Sequence, residues 1–300
     1  MDWKWTIGIL CLGLLLSGCD RYRRWNAAAS DESLLERFAD HPLQPTVHRY
    51  QVGERTIRYL SIGADTLPTT LLIHGAPSSL TSWMRYLKDT TITRRTRLIA
   101  VDRPGYGGSG FGVAEPSVAR QSELLAPLFD AIEGSPQLMV VGSSYGGTLT
   151  TRLAMDYPDR IDRIMLISAS VAPGQEKIYK ASYFIKLPGL KQLTPTMITM
   201  ANVEKLNHYE QLKGMEGLWE KITMPVTILH GDKDDLIYYD NALFAQAMLT
   251  QSSDVELVTV RRADHGLPWS HPELVREKLL APWLRSESEH VGSPATSAQE

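Results

Sequence analysis

Cysteine is almost missing from this 300-residue chain: Cys11 and Cys19 are its only two, both within the first twenty residues. The rest of the chain can carry neither a disulfide framework nor a cysteine-built metal site. An excess of one charge sign is missing too, with 31 Lys+Arg against 34 Asp+Glu and a net charge of −3. A nucleic-acid-binding domain is usually clearly basic, so no nucleic-acid partner is expected. The N-terminal apolar run Ile7–Leu16 has ten residues, about half of the ~20 that a membrane-crossing helix needs. There is no P-loop lysine, no H-E-x-x-H pair and no clustered His/Asp pattern, so neither metal nor cofactor is implied. What remains is a globular composition, 43% apolar and 22% charged, which excludes wholesale disorder and collagen-like or low-complexity architectures.

The ten-residue run follows Lys4 and ends in Leu16-Ser17-Gly18-Cys19. Its length suits the apolar core of a secretory leader, and the four closing residues resemble a bacterial lipobox. That resemblance implies a leader over residues 1–18 and a lipid-modified Cys19 as first residue of the mature chain. It implies attachment to the bacterial cell membrane on the extracytoplasmic, periplasmic face. Asp20 resembles the inner-membrane retention signal of enterobacterial lipoproteins. Residues 19–45 are polar, with Pro42, Pro45 and a short amphipathic stretch at Ser33–Ala39, and read as a membrane tether.

From Val47 onward strand-like and helix-like runs alternate. Strands are expected at Val47–Val52, Thr56–Ser61, Leu71–His74, Leu98–Asp102, Leu138–Gly142, Ile164–Ser168, Val226–His230 and Glu256–Val260. Helices are expected at Leu80–Lys88, Ser117–Ile132, Gly147–Tyr157, Asn241–Met248 and Pro272–Leu284. Continuous apolar runs such as Leu138-Met139-Val140-Val141 fit strands buried on both faces. The alternation implies an α/β fold, a mostly parallel sheet covered by helices on both sides. It stops between about 171 and 222, an insertion whose aromatic and methionine content (Tyr179, Tyr183, Phe184, Met197, Met200, Trp219) marks it as ordered. Between Ala172 and Leu193, Lys177, Lys180, Lys186 and Lys191 face the single acid Glu176. Such a segment either lines an apolar pocket or rests on anionic headgroups. Residues 286–300 are polar and are expected to be disordered.

Gly142-Ser143-Ser144-Tyr145-Gly146 fits G-x-S-x-G between an expected strand and an expected helix, a turn that lifts the Ser144 hydroxyl above the sheet. A serine needs a positioned imidazole to take its proton. Of eight histidines, His265 follows the last strand by a short loop and opens at the same sheet edge as Ser144. A carboxylate must then orient that imidazole. Asp232, Asp234 and Asp235 compete for this place, all just after the strand ending at His230.

These residues, with His74-Gly75-Ala76-Pro77 and Asp102-Arg103-Pro104-Gly105-Tyr106-Gly107 after two earlier strands, resemble an α/β-hydrolase fold enzyme from about Val47 to Leu284. The resemblance implies an eight-stranded sheet in a domain over 46–285, with the 171–222 insertion as a helical cap. It implies Ser144 as nucleophile, His265 as base and Asp234 as the orienting acid. Backbone N–H groups of Ala76 and Tyr145 would form the oxyanion hole, Pro77 having none to give. The H-G-x-P loop is similar to that of haloalkane dehalogenases and epoxide hydrolases, but those carry an aspartate at the elbow. A serine there would form an ether that water does not cleave, so acyl transfer is the expected chemistry. Asp264, before His265, departs from the family's usual small residue.

Gly105-Tyr106-Gly107-Gly108-Ser109-Gly110 also satisfies G-x-G-x-x-G, but Pro116 follows where a dinucleotide site needs a helix. It reads as a structural loop, with Asp102 and Arg103 holding it. The sequence thus points to a tethered serine hydrolase acting on a small acyl substrate, above all a carboxylic ester. Amidase, C–C hydrolase, perhydrolase or thioesterase activity on the same triad, and a non-catalytic binding protein on this scaffold, are the alternatives.

Overall fold

A computed structural model describes residues 27–175, 177, 181–185 and 193–291. Cys19, the expected leader and three of the four cap lysines lie outside the described residues.

The chain enters through α1 (Asp31–Glu36), capped by the Ser30 hydroxyl, which accepts from the Ser33 N–H. β1 (Thr46–Val52), β2 (Arg55–Ile62) and β3 (Thr69–Ile73) follow. A 3-10 turn at Leu80–Trp83 leads into α2 (Met84–Leu87), α3 (Thr90–Thr93) and β4 (Arg97–Val101). Next come α4 (Val118–Leu125), α5 (Leu128–Ala131), β5 (Leu138–Ser143), α6 (Tyr145–Asp156) and β6 (Arg163–Ile167). The insertion contributes α7 (Ala181–Phe184) and α8 (Thr196–Lys213). The chain closes with β7 (Val226–Gly231), α9 (Asp240–Met248), β8 (Val255–Val260), α10 (Leu267–Ser270) and α11 (Pro272–Val291).

All eight expected strands form, with ends displaced by a residue or two, in one sheet of order β1-β2-β4-β3-β5-β6-β7-β8. β2 is antiparallel to β1 and to β4, and the remaining pairs are parallel. Both faces of the central strands are covered. Leu71, Ile73 and Val140 join one apolar layer with Leu149 and Leu153 of α6. Leu72, Met139 and Val141 join the other with Val275 and Leu279 of α11. Double coverage explains why these strands read as unbroken apolar runs. From β3 the chain goes to β4 on one side and then returns to β5 on the other. The crevice beyond the ends of β3 and β5 is therefore a topological switch point, where ligands bind in open α/β sheets.

Three expectations are corrected. The helix expected over Ser117–Ile132 is two, separated at Pro127, because a proline lacks the N–H and its ring collides with the carbonyl four residues back. The last helix runs on to Val291, since Ser286–His290 contains no glycine or proline to stop it and polarity alone ends no helix. The expected tether is part of the fold from Ala29 onward. Leu34 and Phe38 are fully buried in the second apolar layer. Asp31 accepts two hydrogen bonds from Arg49 at 2.6 and 2.8 Å, and Arg58 Nη1 donates to the Ala29 carbonyl at 2.7 Å. Two apolar residues and one acid were too few for a periodicity reading to separate from a linker.

Candidate active site

The turn between β5 and α6 is built on close approach. A Cβ on Gly142 would lie 2.2 Å from the Gly146 carbonyl oxygen, and one on Gly146 would lie 2.3 Å from that of Ile73. Only glycine fits at either position. Ser144 sits between them at φ 55°, ψ −124°, a region a side-chain-bearing residue occupies only when its surroundings impose it. Its N–H donates to the Ile167 carbonyl at 2.9 Å, and its own carbonyl accepts from Gly147 at 2.9 Å. Across from it, a Cβ on Gly75 would come 3.0 Å from Ser144 Cβ, which accounts for the glycine in the His74-Gly75 pair.

His265 Nδ1 donates to Asp234 Oδ2 at 2.7 Å, leaving the lone pair on Nε2. Asp234 is buried, and its Oδ1 accepts from the Leu236 and Ile237 N–H groups at 3.0 and 2.8 Å. Burial works against its charge, but His230, His265 and the Ile237 N–H outweigh it and hold the carboxyl well below the usual range. The competing acids are occupied elsewhere. Asp232 accepts from the Arg262 N–H at 2.6 Å, and the exposed Asp235 pairs with Lys177 at 3.4 Å. Asp264 Oδ1 accepts from the Gly266 N–H at 3.0 Å, closing the turn that carries His265.

Two cavities meet at Ser144. One, of about 370 Å³, is walled by Ala76, Tyr145 and the inner face of α8, including Ala201, Asn202 and His208. The other, of about 210 Å³, is walled by Gly75, Trp83, His265 and Trp269. Both include Ala76, Pro77, Ser144 and Leu236. Ser144 and His265 thus share a cavity wall, though among the described residues no hydrogen bond joins them. The Tyr145 N–H opens α6 and has no helical acceptor. Among the described residues no group of three or more His, Cys, Asp or Glu could hold a metal ion.

The glycine-rich loop after β4 folds around a carboxylate. Asp102 Oδ2 accepts from the Gly108 N–H and from Arg58 Nε, both at 2.8 Å, and Oδ1 accepts from the Leu80 N–H at 2.9 Å. Arg103 lies beneath the Ser144 turn. Its Nε donates to the His74 carbonyl at 2.9 Å, and its Nη1 and Nη2 donate to the two Glu204 oxygens at 2.7 and 3.1 Å. Its guanidinium packs 4.6 and 4.5 Å from the Tyr106 and Tyr145 ring centres. Burial disfavours the charge, but the Glu204 carboxylate outweighs it and keeps Arg103 protonated.

Sequence reasoning missed Glu204 and set His208 aside. Both belong to the buried side of α8, where Met200, Glu204, His208 and Leu212 recur every fourth residue. An acid and a histidine in step with two apolar residues was the available signal. His208 Nε2 lies 2.9 Å from the Ser170 hydroxyl, and its ring is 5.0 Å from that of Tyr145. Burial pulls its pKa down to about 4.

A sequence model described as the alpha/beta hydrolase family matches residues 70–278. The chain belongs to the alpha/beta hydrolase family. Among its relatives, a 2-hydroxy-6-oxononadienedioate/2-hydroxy-6-oxononatrienedioate hydrolase from Pseudomonas is 22% identical over 246 residues, covering 70% of this chain and 86% of that one. Two solved hydrolase structures resemble it in fold. A bacterial membrane phospholipase A superposes with a TM-score of 0.63 at 22% identity, over 95% of this chain and 99% of the other. A carboxylesterase from Bacillus subtilis gives 0.62 at 19%, over 84% and 95%.

Proposed function

We propose that this alpha/beta hydrolase is a membrane-tethered serine hydrolase cleaving carboxylic esters or related acyl compounds. The observation that carries the reading is the 2.7 Å bond from His265 Nδ1 to Asp234, with Ser144 on the wall of the same cavity. Asp234 fixes the tautomer, so His265 Nε2 is the basic nitrogen that takes the Ser144 proton as the hydroxyl attacks the acyl carbon. The negative oxygen that develops is held by the Ala76 and Tyr145 N–H groups, and removing one such donor typically costs ~10²–10³ in rate. His265 then returns the proton to the leaving alcohol, and a water activated by the same nitrogen releases the acyl group from Ser144.

The carboxylesterase likeness favours an ester, while the relative acting on an oxo-dienedioate keeps C–C cleavage as the second outcome of the test. Labelling with a fluorophosphonate, followed by an ester panel of increasing acyl length, decides between them. Ser144→Ala is expected to lose the label and nearly all turnover while remaining folded, and turnover above a few per cent of the parent refutes the mechanism. A folded parent that takes no label favours a non-catalytic binding protein.

The tether rests on Cys19 and its lipobox-like setting. Cys19→Ser is expected to leave an unprocessed or mislocalised precursor, read by mass spectrometry of the N-terminal peptide. A membrane-bound chain with an unmodified N-terminus beyond residue 20 refutes it.

A further inference from the structure

The four most exposed large apolar side chains among the described residues are Leu193 at 76%, Val113 and Tyr183 at 58% and Trp269 at 57%. One of the four lines a cavity at Ser144, and the other three lie on or beside the cap, whose residues Ser182, Ile185, Ile198 and Ala201 wall the larger one. Trp269 itself lines the cavity that holds His265. Tyr183 lies in α7 between Ser182 and Ile185, which wall the larger cavity. Leu193 precedes α8. Val113 follows Gly112, whose N–H donates to Met200 of α8 at 3.0 Å. Isolated surface apolar groups need no explanation, whereas the most exposed ones gathering on the cap and on the loop bearing His265 do.

The N-terminal segment leads to the same opening. A third cavity, of about 490 Å³, has Ala27, Ala28 and Ala29 on one wall and Pro77, Ser78 and Phe111 on another. Pro77 and Ser78 also wall the cavity that holds Ser144 and His265. The described chain therefore starts one loop away from the candidate active site. From Cys19 to Ala27 is eight residue steps, at most ~26–29 Å of extended chain. Arg21, Arg23 and Arg24 lie within that stretch, and Lys180, Lys186 and Lys191 fall in the sequence around α7.

We propose that the face bearing the opening lies on the bilayer surface, with Trp269, Tyr183, Leu193 and Val113 in the headgroup layer. The substrate of Ser144 is then an acyl lipid drawn from that membrane. Tryptophan and tyrosine favour this layer, and basic residues beside it are attracted to anionic lipid. A short anchor on the far side of the domain would hold the opening away from the lipid, whereas an anchor at Ala27 holds it close. This inference rests on the tethered-hydrolase reading and narrows its substrate to lipids of the membrane itself.

The test uses the full chain, lipidated by its host and reconstituted in phosphatidylethanolamine–phosphatidylglycerol vesicles. Single thiols are introduced by Tyr183→Cys, Val113→Cys, Trp269→Cys and, at the opposite end of the sheet, Ser253→Cys, and each carries an environment-sensitive fluorophore. On the inference, labels at 183, 113 and 269 are quenched by headgroup nitroxide lipids and shielded at least twofold from aqueous iodide relative to the label at 253. Tyr183 and Val113 are exposed, so the test stands even if Trp269→Cys fails to fold. The mass of the Cys19 peptide and fluorophosphonate labelling are read on the same samples. Lipidated, fluorophosphonate-reactive chains whose four labels are equally open to iodide overturn the docking and leave the hydrolase reading intact. A chain without lipid on Cys19 overturns the docking and the tether together.

Discussion

Glu204→Ala tests how the insertion is held to the sheet domain. In the parent, Glu204 accepts from Arg103 at 2.7 and 3.1 Å, from the Tyr106 hydroxyl at 2.7 Å and from Gln121 Nε2 at 3.1 Å. Alanine removes all four acceptor contacts. It leaves the buried guanidinium with the carbonyls of His74 and Gly75 and the side-chain oxygen of Gln121. Those are neutral partners for a full charge away from water. Breaking one side of a buried ion pair costs about 3–5 kcal/mol, and at this size each kcal/mol lowers Tm by about 2–4 °C. Calorimetry should therefore find Tm lower by roughly 6–20 °C on those two scales. Arg103→Met strands the carboxylate instead and should cost a similar amount. The double variant Arg103→Met/Glu204→Leu strands neither charge and should lose far less than the two single losses combined, a coupling of a few kcal/mol. A Glu204→Ala variant melting within ~2 °C of the parent, or a strictly additive double variant, refutes the view that this pair fastens α8.

Two further outcomes are expected. Asp234→Asn keeps the shape but removes the anionic partner of His265 Nδ1, so kcat should fall by roughly 10⁴ with little change in KM, and steady-state ester hydrolysis within tenfold of the parent refutes the orienting role. His208 has a folded pKa of about 4 against 6.5 when exposed. Above pH 6.5 the imidazole is neutral in both states and its contribution is complete. As the pH falls towards 4 the unfolded chain takes up the proton first, so up to about 3 kcal/mol of stability is lost. The Tm of the parent should accordingly fall more steeply than that of His208→Asn over this window, and parallel curves refute the assignment.

The sheet was legible because its strands are buried on both faces and their composition says so without help from context. The Ser144 turn was legible for a steric reason: the glycines at 142 and 146 occupy places where an added Cβ would lie 2.2 and 2.3 Å from a backbone oxygen. Choosing Asp234 from three neighbouring acids needed the family resemblance. In the structure it is Asp234 that bonds His265, the turn sending Asp232 to the Arg262 N–H and the exposed Asp235 to Lys177. The polar residues of α8 were not legible. Glu204 is buried because Arg103, about a hundred residues away, is already there to meet it, and a pairing of that separation leaves no local trace. The docking of α1 was hidden likewise, since Asp31 takes its meaning from Arg49 and Arg58 on strands yet to come.

That N-terminal docking has a mechanical consequence. For a chain anchored at Cys19, any drag between the lipid and the domain enters the fold at Ala29–Asp31. There Arg49 of β1 and Arg58 of β2 grip the segment from adjacent strands, and Arg58 is itself fixed to Asp102 at 2.8 Å. Asp102 in turn secures the N–H groups of Leu80 and Gly108. The Arg49 and Arg58 contacts to Ala29 and Asp31 act in parallel, so they share a pull, whereas bonds in series would unzip one at a time. Tension on a chain so anchored would thereby be shared by β1 and β2 at the sheet edge.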